Sequence, residues 1–491
     1  MQSGIATERG RGEVFITNFS ITTTKLCSTN LILFVRCPWL RLRQHTMRDD
    51  YFLALGGGDE IGASSYLLHI DGVRVLIDAG IRHDRHNPYP DFERLCSIGR
   101  PHALLLTHAH ADHVGGLGKL WAMAAPDAMF CTAATRDLVK TIGARGNAAG
   151  SDELAEDTAT LRSNFRNAVS ALEILQYGSP QLLAHDCVQA TPIRAGHILG
   201  AASYVLDFPS HRVLVTGDIA LHDQRAVGGF DVTALPTNVD VLVIEATYAY
   251  QPASDAVDYT MEQHRLTTRV AEVLDAGGRV LIPAFSLGRA QEIAALFADA
   301  FADGELSPFP VLLDGMTRDV CAVYERHRGE LMRRRRRNTE HCIYNAHVQP
   351  AAQTFKPTAT ALAEMPPQCI VASSGMLMPG SRSAEYAAHM RNHPRDAIFF
   401  SGYLDDESPG RRLLDMHRSR TGALIDSYRL SAHAAAADLR ELIREVNARL
   451  VILVHGNFHL AVDAAFLELE LELEQRGVRM LHAQNGTAID L

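Results

Sequence analysis

Lysine is nearly absent: of 47 basic Lys and Arg residues only 4 are Lys, at positions 25, 119, 140 and 356. Arg forks onto carboxylates and phosphates at least as well, so this skew excludes no chemistry and more often follows genome composition. Positive charge is scarce overall, with a formal net charge of −10 and no long basic or acidic tail. A nucleic-acid partner would therefore need a local basic groove. The 8 cysteines, at 27, 37, 96, 131, 187, 321, 342 and 369, form no CxxC pair and no framework spacing. That excludes a disulfide scaffold and suits the reducing cytoplasm. No run approaches the roughly 18 apolar residues of a membrane span, the longest candidate, residues 31–35, being ended by Arg36. What remains is a soluble chain of 491 residues, 47% hydrophobic, enough for two or three domains.

Against these absences stands one dense cluster. Thr107 to Gly116 reads THAHADHVGG, placing His108, His110, Asp112 and His113 within six residues. The apolar run 102–107 before it predicts a buried strand and 117–125 after it a helix, so the cluster lies on a strand-to-helix loop. On such a loop residues 108, 110 and 112 can point one way while Asp112 and His113 diverge, and imidazoles with a carboxylate can serve two adjacent divalent ions. A solvated polar loop would not explain four ligand-type side chains in six positions beside an apolar strand.

Residues 1–46 differ in composition, with many Ser and Thr, six basic and two acidic residues. They read as a disordered extension, either a transit peptide or an over-extended start ahead of Met47, and no function is expected there. From Tyr51 an apolar strand and a glycine turn precede a hairpin around Asp71-Gly72, whose second strand ends at Asp78. Helices are expected at 117–125 and 135–142, whereas 143–168 gives no clear pattern. Further strand ends deliver His197 in GHILG, Asp218 in TGDI and Glu245 in IEATY. Each carboxylate could merely cap a turn, but together they describe a site at the edge of a sheet. From about residue 251 helices and strands alternate, with helices 257–276, 289–302 and 317–328 and strands 279–283, 310–313, 369–372 and 397–400, which favours a parallel sheet. Arg333 to Arg337 is a basic run, readable as a solvated face or as an RNA-contacting patch. Around Leu424 the chain is expected to return to the first domain, with His433 ahead of an Ala-rich helix and His455 ending the strand 450–454 in VHGN.

The HxHxDH pattern, together with PAFSLGRAQE, LDGM, SSGMLMPGS and GYLDDESPGRRLLD, resembles the β-CASP branch of the metallo-β-lactamase-fold nucleases over roughly residues 47–491. That branch includes the nuclease subunit of pre-mRNA cleavage and bacterial RNA-processing relatives. The resemblance implies an α/β fold, a metallo-β-lactamase αββα sandwich (47–250 and 427–491) with an inserted α/β β-CASP domain (251–426) that closes as a lid over the metal cleft. It implies two Zn2+ ions, one held by His108, His110 and His197, the other by Asp112, His113 and His455, with Asp218 shared. Asp78 would orient the histidines, and His433, supported by Glu245, would protonate the leaving group. Ser373, Ser374, Gly375 and Met376 would offer amides to a substrate phosphate, with Arg289 and Arg411 pairing to others.

The implied activity is zinc-dependent hydrolysis of RNA phosphodiester bonds by a cytoplasmic ribonuclease, on RNA that is single-stranded, with no membrane partner and with a homodimer allowed. A DNA-acting nuclease, a small-molecule metallo-hydrolase and a non-catalytic RNA-binding scaffold are the alternatives. The first is disfavoured by His455, the second by the long insertion, the third by a filled ligand set. Two positions depart from the family pattern: Ala435 stands where Asp is frequent, and Asn457 where Glu commonly follows HG. Both lie outside the ligand set and bear on tuning rather than on metal binding.

Overall fold

The computed structural model describes residues 50–82, 86–144, 155–183, 187–250, 258–336, 342–417, 422–457 and 464–491. The expectations for residues 1–46 lie outside them. In chain order the strands are β1 (Tyr51–Gly56), β2 (Ser65–Ile70), β3 (Val73–Ile77), β4 (Ala103–Leu105), β5 (Ala128–Thr132) and β6 (Leu172–Leu175). Next come β7 (Gln181–Leu183), β8 (Val188–Arg194), β9 (Ala202–Asp207), β10 (Arg212–Val215) and β11 (Val241–Glu245). Then follow β12 (Val280–Pro283), β13 (Val311–Asp314), β14 (Val348–Pro350), β15 (Cys369–Ala372), β16 (Ala397–Phe400) and β17 (Leu424–Ser427). Last are β18 (Leu450–Val454), β19 (Arg479–His482) and β20 (Ala488–Asp490).

These strands make three sheets, ordered β20-β1-β2-β3-β4-β5-β6, β19-β18-β11-β10-β9-β8-β7 and β14-β13-β15-β12-β16-β17. Strand alternation explains how the first two stack. Phe52, Ala54, Leu68, Val75 and Leu105 of the first sheet share one buried cluster with Val213, Val215, Val241, Val243 and Ile452 of the second. Their neighbours Leu53, Leu67, Leu76, Leu104, Leu214, Leu242 and Leu453 face the opposite way, into a cluster that includes helix residues such as Leu117, Leu120, Leu439 and Leu442. Two sheets with a dry interior and helices outside form an αββα sandwich. The β2–β3 hairpin turns on Asp71 (φ 51°) and Gly72 (φ 75°), as a two-residue loop requires.

The third sheet is all parallel in its pairings. It includes β17, which pairs with β16, so the chain stays in this sheet as far as Ser427. Within the stretch that gave no sequence pattern, Ala155–Ser170 is a helix. It lies so close to the helix Leu117–Ala124 that a Cβ on Gly118 would come within 2.6 Å of the Leu161 carbonyl. In the basic run, Arg334 pairs with Asp299 (3.0 Å) and Asp303 (2.5 Å), and buried Arg335 also pairs with Asp299. Two of its five arginines thus hold the C-terminal end of the helix Arg289–Ala302.

Candidate metal centre

The cluster sits where several strands end at one edge of the sandwich. Asp78 follows β3, residues 107–113 follow β4, Asp218 follows β10, Glu245 closes β11 and His455 follows β18. β3 and β4 run parallel, as do β10, β11 and β18, so their carboxyl ends collect side chains from both sheets. Asp78 and His455 adopt left-handed backbone (φ 60° and 53°), which turns each sharply out of its strand. His455 is fixed there because its amide donates to the Gly57 carbonyl at 2.7 Å.

Three groups of ligand-type atoms converge: His108, His110, His197 and Asp218; Asp112, His113 and His455; and Asp218, Glu245 and His433. In the first, His110 Nδ1 lies 3.1 Å from His108 Nε2 and 3.0 Å from His197 Nε2. Asp218 Oδ2 is 3.6 Å from His108, 3.7 Å from His197 and 3.4 Å from His113 Nε2. In the second, Asp112 Oδ2 is 3.3 Å from His455 Nε2 and 3.8 Å from His113 Nε2.

These residues fit a metal on three counts. Nitrogens about 3.3 Å apart are what a tetrahedral ion with bonds of roughly 2.0–2.1 Å imposes, whereas three converging imidazoles cannot all hydrogen-bond one another. His113 Nε2 and Asp218 Oδ1 are buried without a hydrogen-bond partner, an arrangement that a cation would relieve. The outward nitrogens, finally, are occupied. His113 Nδ1 donates to Asp78 Oδ2 at 2.8 Å, His197 Nδ1 to the Ala432 carbonyl at 2.7 Å and His110 Nε2 to the Leu287 carbonyl at 3.3 Å. His108 Nδ1 lies 3.1 Å from Thr107 Oγ1, and His455 Nδ1 lies 3.0 Å from Thr247 Oγ1. Such partners fix tautomer and ring orientation. Asp78 is itself locked, accepting from the Thr107 amide and hydroxyl at 2.7 Å each.

Electrostatics agree. Burial drives His108 and His197 well below the usual histidine range, leaving the neutral rings a metal needs. Burial alone would raise Asp218, but His455, His113 and His108 hold it well below the usual carboxylate range. His113 goes the other way: burial lowers it, yet Asp218, Asp78 and Asp112 raise it well above normal. Its proton stands where a dication would otherwise neutralise three carboxylates.

Beside this centre, His433 Nδ1 lies 2.9 and 3.1 Å from the two oxygens of Glu245 and 4.0 Å from Asp218. Glu245 is fixed from behind by the Ile219 amide at 2.7 Å. Burial lowers the His433 pKa, but the Glu245 carboxylate outweighs it and pushes the imidazole up to about 9. The sequence-predicted substrate residues divide. Ser373 and Ser374 line a cavity with Phe285 and Ser286, Gly375 packs on the Phe285 ring, and Met376 is buried with its carbonyl taken by the Gly410 amide. Arg289 is buried with Nη1 unpartnered. Arg411 is half-buried and pairs with Asp415 (2.9 Å) and Asp406 (3.7 Å). Sequence reasoning missed Thr107, Thr247 and the carbonyls of Gly57, Leu287 and Ala432. Only Thr107, inside the metal motif, carried any signal.

Comparison with known proteins bears on this geometry. Residues 73–282 match the beta-lactamase superfamily domain, 290–413 the Beta-Casp domain and 421–469 the Zn-dependent metallo-hydrolase RNA specificity domain. A transcription termination factor FttA from Pyrococcus abyssi is 30% identical over 455 residues, covering 84% of this chain and 67% of its own. The chain belongs to the β-CASP branch of the metallo-β-lactamase-fold nucleases. An RNase aCSPSF2 from Saccharolobus solfataricus is 26% identical over 90% of this chain and 86% of its own. The endoribonuclease ysh1 of Emericella nidulans is 25% identical over 86% of this chain and 52% of its own. A crystal structure of a protein of unknown function from Enterococcus faecalis shares the fold, with a TM-score of 0.58 at 14% identity over 90% of this chain and all of that one. In this β-CASP chain the Beta-Casp match falls on the third sheet, from its helix Arg289–Ala302 to the helix Pro409–His417. The RNA-specificity match carries His433 and His455. Among the described residues no helix is long and apolar enough to cross a membrane.

Proposed function

We propose that the protein is a ribonuclease that hydrolyses phosphodiester bonds of single-stranded RNA with two zinc ions. The observation that carries this reading is the convergence of the seven ligand residues His108, His110, Asp112, His113, His197, Asp218 and His455 beside an acid–base pair, His433 and Glu245, at one sheet edge. The family membership and relatives described as RNases support it. When bound, the ions would supply an activated water and neutralise charge on the phosphodiester.

The chain's own residues do the rest. Asp78 holds His113, and Ala432 and Leu287 hold His197 and His110, so the ligand set is preorganised before substrate arrives. The leaving 3′ oxygen needs a proton, and His433 is the imidazole placed to give it, kept protonated by Glu245. Five of the seven ligand residues, His108, His113, His197, Asp218 and His455, are buried, which strengthens each of these contacts by excluding water. RNA is favoured over DNA because His455 completes the second ligand group, a position that RNA-acting members fill with histidine. The ribose itself must be read elsewhere in the cleft.

Metal analysis and a side-by-side cleavage assay test this. Close to two zinc ions per chain and much faster cutting of single-stranded RNA than of DNA of the same sequence are expected. Active protein with no zinc would overturn the metal assignment. Equal or better cutting of DNA would overturn the substrate while leaving the metal chemistry intact.

A further inference from the structure

The connection from β10 to β11 carries Asp218 at its start and, six residues on, the buried Gln224. Gln224 Nε2 donates to two carbonyls at once, Gly196 at 2.7 Å and His197 at 2.8 Å. Only the NH2 end of a Gln side chain can donate twice, so the pair of bonds fixes both the side chain and the backbone that bears the His197 imidazole. The loop lies flush on that backbone: Gly196 is left-handed (φ 78°), and a Cβ there would collide with the Ala220 carbonyl and the Phe230 amide nitrogen. His197 is thus held at its ring by the Ala432 carbonyl and at its main chain by Gln224.

What holds the loop in turn comes from the helices beside the third sheet. Glu292, in the first turn of the helix Arg289–Ala302, is buried and turns both oxygens to the loop. Oε1 accepts from the Arg225 amide at 2.7 Å and Oε2 from the Ala226 amide at 2.9 Å. The Tyr259 hydroxyl also donates to Oε1, at 3.0 Å, and the Arg225 side chain donates to Gln263 Oε1 at 2.9 and 3.2 Å. Moving the loop away would strand a buried carboxylate without donors, which is costly, so loop and helix are locked together. The other ligand group is braced from within the sandwich, His113 by Asp78 and His455 by Thr247 and the Gly57 carbonyl.

We infer that Glu292 and Gln224 are positioning residues for the metal centre, a strut of two links through which the helix Arg289–Ala302 sets His197. The ion that His108, His110 and His197 would hold then depends on this strut, and the ion of Asp112, His113 and His455 does not. The inference rests on the two-zinc reading and adds an asymmetry to it.

Stepwise zinc binding by the full-length protein, measured by competition with a chromophoric chelator, tests it. Gln224→Met keeps the length and removes the donor, and Glu292→Gln turns an NH2 group towards one of the two loop amides. Each should weaken one zinc step about 10- to 100-fold, the usual loss when a partner behind a ligand is removed, and leave the other step unchanged. The weakened step should be the one that His197→Ala abolishes. Because the links act in series, the double variant should bind no more weakly than the worse single variant. Asp396→Asn, which breaks the buried ion pair with Arg279 elsewhere in the third sheet, should lower Tm and keep both steps, which separates lost positioning from lost stability. Equal weakening of both steps, additive losses in the double variant, loss of the same step in Asp396→Asn, or single variants that bind as wild type does would overturn the strut. Wild type binding fewer than two ions overturns the two-zinc reading and the strut with it, whereas wild type with two ions and unaffected variants sinks the strut alone.

Discussion

His433 and Asp78 both act through charge, but on opposite sides of the centre. His433 is drawn up to about 9 by Glu245, and bound dications beside it would pull that value back down. A general acid works only while protonated, so turnover should fall as pH rises through its pKa. Glu245→Gln removes the charge that raises it and should move this alkaline limb of the kcat profile to lower pH. A limb that stays in place would detach Glu245 from proton transfer. His433→Ala should retain its metal and lose roughly 10² to 10⁴ in kcat, and wild-type turnover on an ordinary RNA linkage would make His433 structural. Asp78 instead works through His113 and Thr107. Asp78→Asn should weaken metal affinity by about 10- to 100-fold while kcat at saturating zinc changes far less, as competition with a chelator would report. The side chains of this site were legible in sequence because each follows an apolar strand, sits in the HxHxDH loop or, for His433, stands just ahead of an Ala-rich helix. The carbonyls of Leu287 and Ala432 were not, since a backbone acceptor leaves no trace in residue type.

Between elements, the sandwich and the parallel-sheet stretch meet at a clasp that the sequence did not announce. His327, after the helix Thr317–Arg326, lies 2.9 Å from Asp137 on the helix Ala133–Ala144 and 3.4 Å from Glu330. Arg136 and Arg326 each approach Asp137 at 3.9 Å, the only other charges paired with it among the described residues. Glu330 first, and then Asp137, raise the His327 pKa against the lowering effect of burial. For a histidine raised in the folded state, the added stability is fully present below the unfolded pKa of about 6.5 and is lost as pH rises through the folded value. The Tm advantage of wild type over His327→Gln should therefore be largest in mildly acidic buffer and shrink as pH is raised. An advantage that grew with pH would show that the clasp does not depend on the imidazolium. Strands and helices here were readable from period and turn residues. Contacts between elements distant in sequence were not, and the same holds for Arg334 and Arg335, whose acidic partners lie in another helix.

At the scale of the whole molecule, the proposed metal ligands are contributed by both sheets of the sandwich, and their rings are hydrogen-bonded to carbonyls of Leu287, after β12, and Ala432, after β17. Without a cation, the fold must bury Asp218, and half-bury Asp112, against a cluster of imidazoles, two of which burial drives towards neutrality. Any ion that binds the folded chain and not the unfolded one stabilises it by RT times the logarithm of one plus its free concentration over Kd, about 2.7 kcal/mol at 100 times Kd. Chelation should accordingly lower Tm by several degrees, and zinc should restore it. Asp218→Asn, lacking the carboxylate common to both ligand groups, should melt at a temperature that chelator barely changes. The comparison separates a structural cost of the substitution, which lowers Tm with or without chelator, from loss of the ion, which abolishes the chelator's effect. A wild-type Tm indifferent to chelator, in protein shown by metal analysis to have carried zinc beforehand, would mean that the ions do not tie the two sheets together and that the sandwich holds this edge by its own packing.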